Sequence, residues 1–347
     1  SGTPVLNEPG EWLSIVSGFI QPDCLGSPIQ FLNRYSYKNR WGGYEGVRNM
    51  EELAERSFIY YARHTKEDVA EHLPPLQVSS KILDTDAKYA KALSRAHREA
   101  RDEIADARVS KAARGALDGV DLDEAEQGAD MTAVGMLKLM CCSPMLIHKS
   151  EAPSAKALVE AGLVPEIDGP KLDTLREVLL ELQDANRKVV VFTQSKQMAY
   201  LTAERLMEDK ISHVLFTGDS SSKERDAAIK EFSSSDPKSP MVFLSTDAGG
   251  EGLNLQIANL LINLDVPWTP GALSQRMARI HRVDSKHDNF QVLNLTLGGT
   301  IEVGILKSLE NKQDLADTIL GEVGGASQLT GRRSTAGVED LLSDITD

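Results

Sequence analysis

From Lys188 to Leu295 the chain alternates apolar runs with helical stretches, and no other feature constrains the fold as strongly. Val189–Thr193 reads as a strand, Met198–Met207 as a helix, Ser212–Phe216 as a strand and Lys223–Phe232 as a helix. Met241–Leu244 and Leu260–Leu264 are further strands separated by a glycine cluster at Gly249, Gly250 and Gly252. Helix Ala272–Ile280 then leads to strand Phe290–Leu295. Strands that are apolar throughout, separated by helices, predict a parallel sheet covered on both faces. Helix Lys171–Gln183, with Asp173 as its candidate cap, precedes this block, and an amphipathic helix Thr300–Leu320 follows it.

Upstream the pattern is mainly helical. An apolar helical pattern runs through Trp12, Leu13, Ile15 and Val16, and a second helical stretch covers Met50 to Ala70. Between them Phe31 to Asn49 mixes aromatics, arginines and glycines, read either as a surface loop or as a basic-aromatic surface for nucleic acid. Leu73-Pro74-Pro75-Leu76 forces extended backbone, and Gln77–Leu83 can pair as a strand. Asp86 to Arg114 reads as one long helix with a solvated, mixed-charge face. Gly115–Gly128 is an acidic loop, and Met131–Ile147 an apolar helix ended at Ser143-Pro144. The Pro/Gly-punctuated connector Ala152–Gly169 marks the main boundary, and the segment after Gly321 reads as a poorly ordered tail.

The chain has 347 residues, 41% of them hydrophobic and 26% charged, as in a soluble globular protein. No run reaches the roughly 18 apolar residues of a membrane span, and no basic-then-apolar leader is seen. Three cysteines, Cys24, Cys141 and Cys142, fit neither a disulfide framework nor a zinc knuckle, so a reducing intracellular setting is expected. The net charge of -14 argues against a nucleic-acid binder held by bulk positive charge. It leaves room for a local cleft, because phosphates are held by local Lys, Arg and backbone N–H groups.

GxxxxGK[ST], HExxH and EF-hand patterns are all missing, as is an acidic pair to hold Mg²⁺ after a strand. The chain therefore lacks the groups that begin a phosphoryl transfer. It does contain Gln275, Arg279 and Arg282 at helical spacing. Two guanidinium groups on one face can stabilise charge on transferring phosphoryl oxygens, the arginine-finger role. Taken alone, the same spacing also describes a surface helix with solvated arginines.

In order along the chain, these pieces closely resemble the C-terminal half of the motor of Swi/Snf-like DNA translocases, in helicase superfamily two. Ser1–Asn7 resembles the family's third motif, Lys188–Gln194 the fourth, and Thr217-Gly218 with Arg225 and Phe232 the next segment. Ser245–Leu255 resembles the fifth motif, Asp265 with Trp268 and Pro270 its extension, and Gln275–Arg282 the sixth. Phe31–Tyr35, Arg63–Lys66 with Leu73-Pro74-Pro75, and Cys141–Pro144 are similar to its helical insertion. The chain departs from the family at Ala278, where Gly is usual, and at Asp284-Ser285, where Gly-Gln is usual. It departs again at Thr269, where Asn is commoner, and at Ser143, where His is frequent.

The resemblance implies an α/β fold: a RecA-like parallel sheet flanked by helices, preceded by a mainly helical insertion. Residues 1–22 would end the first RecA-like lobe and its linker, and 23–165 would form the insertion. Residues 166–321 would form the second lobe with its bracing helix, and 322–347 a flexible tail. Arg279 and Arg282 would face ATP, bound with Mg²⁺ mainly by the first lobe. Gln275, Gly250, Glu251 and Gly252 would shape the nucleotide interface, and no metal site is expected in this chain. Thr193, Gln194, Gly218, Ser245 and Thr246 would touch the phosphates of double-stranded DNA, with Trp268 beside the duplex. The implied partners are the DNA and the first lobe of the same protein, with no membrane. The setting would be cytoplasm or nucleoid in a prokaryote or phage, nucleus in a eukaryote. These residues alone are expected not to hydrolyse ATP. A strand-separating helicase of the same superfamily and a non-catalytic DNA-binding scaffold are the rival readings.

Overall fold

The computed structural model describes residues 9–38, 44–45, 48–60, 73–85, 89–91, 93–95, 135–183, 185, 187–247, 253–282, 285–307 and 309. The first motif-like segment, Ser1–Asn7, the Arg63–Lys66 segment, most of the expected helix 86–114, the acidic loop, the glycine cluster and the tail lie outside these residues.

Three short helices open the chain: α1 (Pro9–Phe19), α2 (Pro28–Tyr35) and, after a two-stranded antiparallel ribbon of β1 (Tyr37–Lys38) and β2 (Tyr44–Glu45), α3 (Met50–Ser57). They bury their own small core of Trp12, Leu13, Val16, Leu25, Phe31, Tyr35 and Leu53. The Trp12 indole N–H inside it donates to Ser57 Oγ at 2.7 Å, satisfying a buried donor.

The rest is organised by one parallel sheet. Its strands are β3 (Leu76–Leu83), β4 (Val189–Thr193), β5 (His213–Phe216), β6 (Val242–Thr246), β7 (Leu260–Asn263) and β8 (Phe290–Leu297). Among the described residues they lie in the order β3-β8-β7-β4-β6-β5, every pair parallel. Preceding or connecting them are α4 (Met145–His148), α5 (Pro153–Glu160), α6 (Pro170–Gln183), α7 (Lys196–Glu208), α8 (Ser222–Phe232) and α9 (Pro270–Ile280). The α/β reading, a RecA-like sheet flanked by helices, is what the chain adopts.

Because side chains alternate across a strand, both sheet faces need apolar residues when both are covered. In β4, Val189 and Val191 pack with Leu175, Val178 and Leu179 of α6 and Met198 and Leu201 of α7. Val190 and Phe192 point the other way, with Phe232 of α8 and Leu273, Met277 and Ile280 of α9. Every residue of β4, β6, β7 and β8 is buried as a result.

Three sequence expectations change. The strand at 76–83, read as part of the 23–165 segment, is the edge strand of the sheet and pairs with β8 from Leu76↔Phe290 to Leu83↔Leu297. Ser143-Pro144 ends the apolar helix as expected, helical over 135–142 among the described residues, but the chain turns helical again at once as α4. Asp173 lies inside the first turn of α6 rather than capping it, because the helix already begins at Pro170. Before Pro170, Gly169 takes φ +92°, and an added Cβ would meet Pro144 Cδ at 3.4 Å.

Candidate functional site

The ends of β4 and β7 converge on one carboxylate. Asp265, two residues past β7, is 1% exposed and accepts the Thr193 hydroxyl at 2.5 Å and the Gln194 N–H at 2.9 and 3.0 Å. A buried charge needs this density of donors, since transfer from water is otherwise prohibitive. Burial raises the Asp265 pKa, but Arg276, Lys138, the Thr193 hydrogen bond and Lys171 outweigh it and hold the carboxyl below its ordinary value.

Arg276 is the counter-charge. Its fork donates to Asp247 at 2.5 and 2.8 Å, to Asn263 Oδ1 at 2.8 Å, to the Asp265 carbonyl at 2.7 Å and to the Asp265 carboxylate at 3.3 Å. Its guanidinium also lies 5.5 Å from the Phe192 ring centroid. Burial works against its charge, yet the Asp247 hydrogen bond and Asp265 raise its pKa above the ordinary value. One side chain thus ties α9 to the ends of β6 and β7 together.

Two lysines extend the network. Lys171, wholly buried, donates to the Leu264 carbonyl at 2.7 Å and to Glu302 at 2.6 Å, and Glu302 also accepts the Leu297 N–H at 2.9 Å. Lys138, from the helical stretch 135–142, donates to the Val266 carbonyl at 2.7 Å and to the Gln194 side chain, and lies 4.6 Å from the Trp268 ring centroid. Helical residues 301–307 and Leu309 pack next to this site through Ile305 and Leu309 against Val266.

The expected contact residues divide. Gln194, Gly218 and Trp268 retain exposure at the strand ends, Gly218 in the turn after β5. Thr193, Ser245 and Thr246 are buried instead, with the Thr193 hydroxyl on Asp265 and the Ser245 hydroxyl on the Thr246 carbonyl at 2.9 Å. Strand-end hydroxyls here are turned inward because the sheet's terminal carbonyls and Asp265 need partners. Gln275 is exposed and Arg279 half-buried on α9, and the Arg279 carbonyl accepts the Leu255 N–H at 2.9 Å. Arg282, just past the helix, donates to the Leu253 carbonyl at 2.9 Å and the Ala278 carbonyl at 3.3 Å. Both arginines therefore adjoin the segment that leaves the glycine cluster, while Gly250, Glu251 and Gly252 themselves lie outside the described residues. His281, between these arginines' positions, bonds the Pro74 carbonyl through Nε2 at 2.8 Å and joins the motif to the segment that leads into β3.

The motif spacing does not mark Arg276, yet the sequence carries a signal for it. Leu273, Arg276, Met277 and Ile280 form one stripe at helical spacing, and a lone arginine on an apolar stripe demands a buried partner. Lys138 breaks the apolar run 136–142 in the same way. Among the described residues there is no cluster of metal-ligating side chains, and no helix long and apolar enough to cross a membrane.

Residues 170–284 match the family model of the helicase conserved C-terminal domain. The chain is 26% identical over 370 residues to human TATA-binding protein-associated factor 172, covering 95% of this chain and 19% of that protein. It is 24% identical to the human SWI/SNF-related matrix-associated actin-dependent regulator of chromatin subfamily A member 1, covering 92% of this chain and 28% of the relative. The chain thus spans less than a third of either relative. The solved SWI2/SNF2 ATPase core of Sulfolobus solfataricus in complex with dsDNA superposes with a TM-score of 0.52 at 23% identity, over 95% of this chain and 62% of that one. Residues 170–284 thus carry a helicase conserved C-terminal domain, within a chain that is similar over most of its length to SWI/SNF-related proteins.

Proposed function

We propose that this chain supplies the second lobe of an ATP-dependent double-stranded-DNA translocase. The observation that carries the reading is the clamping of α9 by Arg276 to Asp247 and Asp265, with Arg279 on the same helix and Arg282 just past its end, beside the segment 253–255. Arg276 fixes the helix, so its two neighbours offer guanidinium donors from a rigid base, as preorganised charge stabilisation requires.

ATP, held mainly by a partner lobe with its Mg²⁺, would supply the transferable phosphoryl group. Arg279 and Arg282 would donate to its oxygens as the lobes close, with Gln275 and Gly250, Glu251 and Gly252 lining the interface. In this reading Arg282 leaves the Leu253 carbonyl for the nucleotide, a replacement of one acceptor by a charged one.

DNA would run along the exposed strand-end edge of Gln194, Gly218 and Trp268, contacted at the backbone and not at base edges. Thr193, Ser245 and Thr246 would act here through the backbone they hold in place, the Thr193 and Ser245 hydroxyls being committed inward. Such local contact suits a chain of net charge -14. The work would take place where duplex DNA is kept, in the cytoplasm or nucleoid of a prokaryote or the nucleus of a eukaryote.

The test is Arg279→Ala and Arg282→Ala, made separately in the full-length protein. DNA-stimulated ATP hydrolysis should fall at least about a hundredfold, with duplex affinity kept within about twofold. Unchanged hydrolysis would favour a non-catalytic scaffold.

A further inference from the structure

We infer that Lys138 is a positioning residue for the DNA-facing edge: from outside the helicase-like domain, it sets the two side chains, Gln194 and Trp268, that this edge presents. The inference rests on the reading of that edge as a DNA surface.

Lys138 belongs to the helical stretch 135–142, whose Met136, Leu137, Met140, Cys141 and Cys142 are all buried. A lysine in such a run is costly unless its ammonium finds partners. It finds three, on two loops. The ammonium donates to the Val266 carbonyl at 2.7 Å and to the Gln194 side-chain carbonyl, and it lies 4.6 Å from the centroid of the Trp268 ring. Gln194 follows β4, and Val266 and Trp268 follow β7, so one cation fastens the ends of neighbouring strands. Asp265, between them, accepts the Gln194 N–H and completes the same turn from below.

The consequence concerns Trp268. It keeps 39% of its surface exposed at the rim of the buried charge network. With an ammonium over its ring, the indole is held in one orientation before any partner arrives, so less side-chain freedom is lost on binding. Gln194 is held likewise by its carbonyl, which leaves its amide N–H groups as the donors available to a phosphate. The segment carrying Lys138 lies before residues 170–284, so the upstream helical region contributes directly to the edge.

The experiment uses Lys138→Met and Lys138→Arg in the full-length protein, with Trp268→Ala as reference. Two readouts are taken: the duplex concentration giving half-maximal ATP hydrolysis, and the Trp268 emission, obtained by subtracting the spectrum of Trp268→Phe. Lys138→Met should raise the half-saturating duplex concentration roughly tenfold, leave kcat at saturating duplex within twofold, and shift the Trp268 emission. Lys138→Arg, which keeps a cation over the ring, should recover most of both changes. Should Lys138→Met fail to fold, Lys138→Gln carries the same expectations with a smaller rise. If Trp268→Ala weakens the DNA response while the Lys138 variants alter neither readout, the inference is overturned and the DNA-edge reading stands. If Trp268→Ala itself leaves the DNA response unchanged, that reading fails and takes this inference with it.

Discussion

The guanidinium of Arg276 donates to both the backbone carbonyl of Asp265, at 2.7 Å, and its carboxylate, at 3.3 Å. The same carboxylate accepts from the Thr193 hydroxyl and the Gln194 N–H. A single buried ion pair therefore sets the geometry of three elements: the end of β4, the segment after β7, and the helix bearing Arg279. The polar ladder continues sideways, from Asn263 to Asn294 at 2.8 Å and from Asn294 to Ser80 at 3.3 Å, out to the edge strand β3.

Breaking this pair should be expensive. Arg276→Met removes the ion-pair partner of both Asp265 and Asp247 in a site where Arg276 is 2% exposed. Removing one partner of a buried pair costs about 3–5 kcal/mol. Urea unfolding should show a lower midpoint at unchanged slope. Arg276→Lys should recover little, because an ammonium cannot reproduce a fork that reaches five acceptor atoms. A loss under about 1 kcal/mol for Arg276→Met would refute the clamp.

Lys171 and Glu302 should behave as one unit. Lys171→Met or Glu302→Leu alone strands a charge at a site with 0% and 2% side-chain exposure, a loss of about 3–5 kcal/mol each. The double variant should cost less than the sum by more than about 1 kcal/mol. It should not be neutral, since the Leu297 N–H and the Leu264 carbonyl lose partners too. Strict additivity in the double-mutant cycle would contradict the pairing.

Much of this was legible from sequence, and the misses have physical causes. Val189–Thr193 has the bounds its sequence predicts, because five consecutive apolar or β-branched residues between polar turns leave little choice. The helices α7 and α9 begin two residues earlier than periodicity indicated, since Ser195 and Thr269 cap them through hydroxyls and Pro270 occupies the first turn. The sequence marks Gln77–Leu83 as a strand, one residue short of β3, but does not show its partner. Pairing Leu76 with Phe290 spans most of the chain, and hydrophobic pattern carries no register information at that distance. At the site, the motif spacing located Gln275, Arg279 and Arg282, whereas the buried face of the same helix hid Arg276. The inward turn of the Thr193 and Ser245 hydroxyls depends on Asp265 and the strand-end backbone, contacts that only the assembled sheet creates.

Acid should weaken the fold through Asp265. Burial pushes its carboxyl up, but Arg276, Lys138 and the Thr193 hydroxyl pull it further down, so its folded pKa lies below the unfolded value of about 3.9. The stability this gives is complete above the unfolded pKa and is lost as pH falls through the folded one, that is below about pH 4. Urea midpoints followed from pH 7 to pH 3 should drop in that range, and Asp265→Asn should start lower and fall less steeply. An equal slope in the two proteins would remove Asp265 from the account.

Thr269 should matter as a cap and not as a contact. Its hydroxyl accepts the Ala272 N–H at 3.3 Å at the start of α9. Thr269→Ala should cost about 1 kcal/mol, while Thr269→Asn, the residue more usual in the resembling family, should stay within about 0.5 kcal/mol. Thermal unfolding of the two variants separates these outcomes.

The most direct measurement is displacement of a third strand from a duplex by the full-length protein. The account predicts ATP-dependent displacement of a triplex-forming strand, lost in Arg282→Ala, with the two duplex strands left paired throughout. Separation of the duplex strands, or displacement that persists in Arg282→Ala, would contradict it.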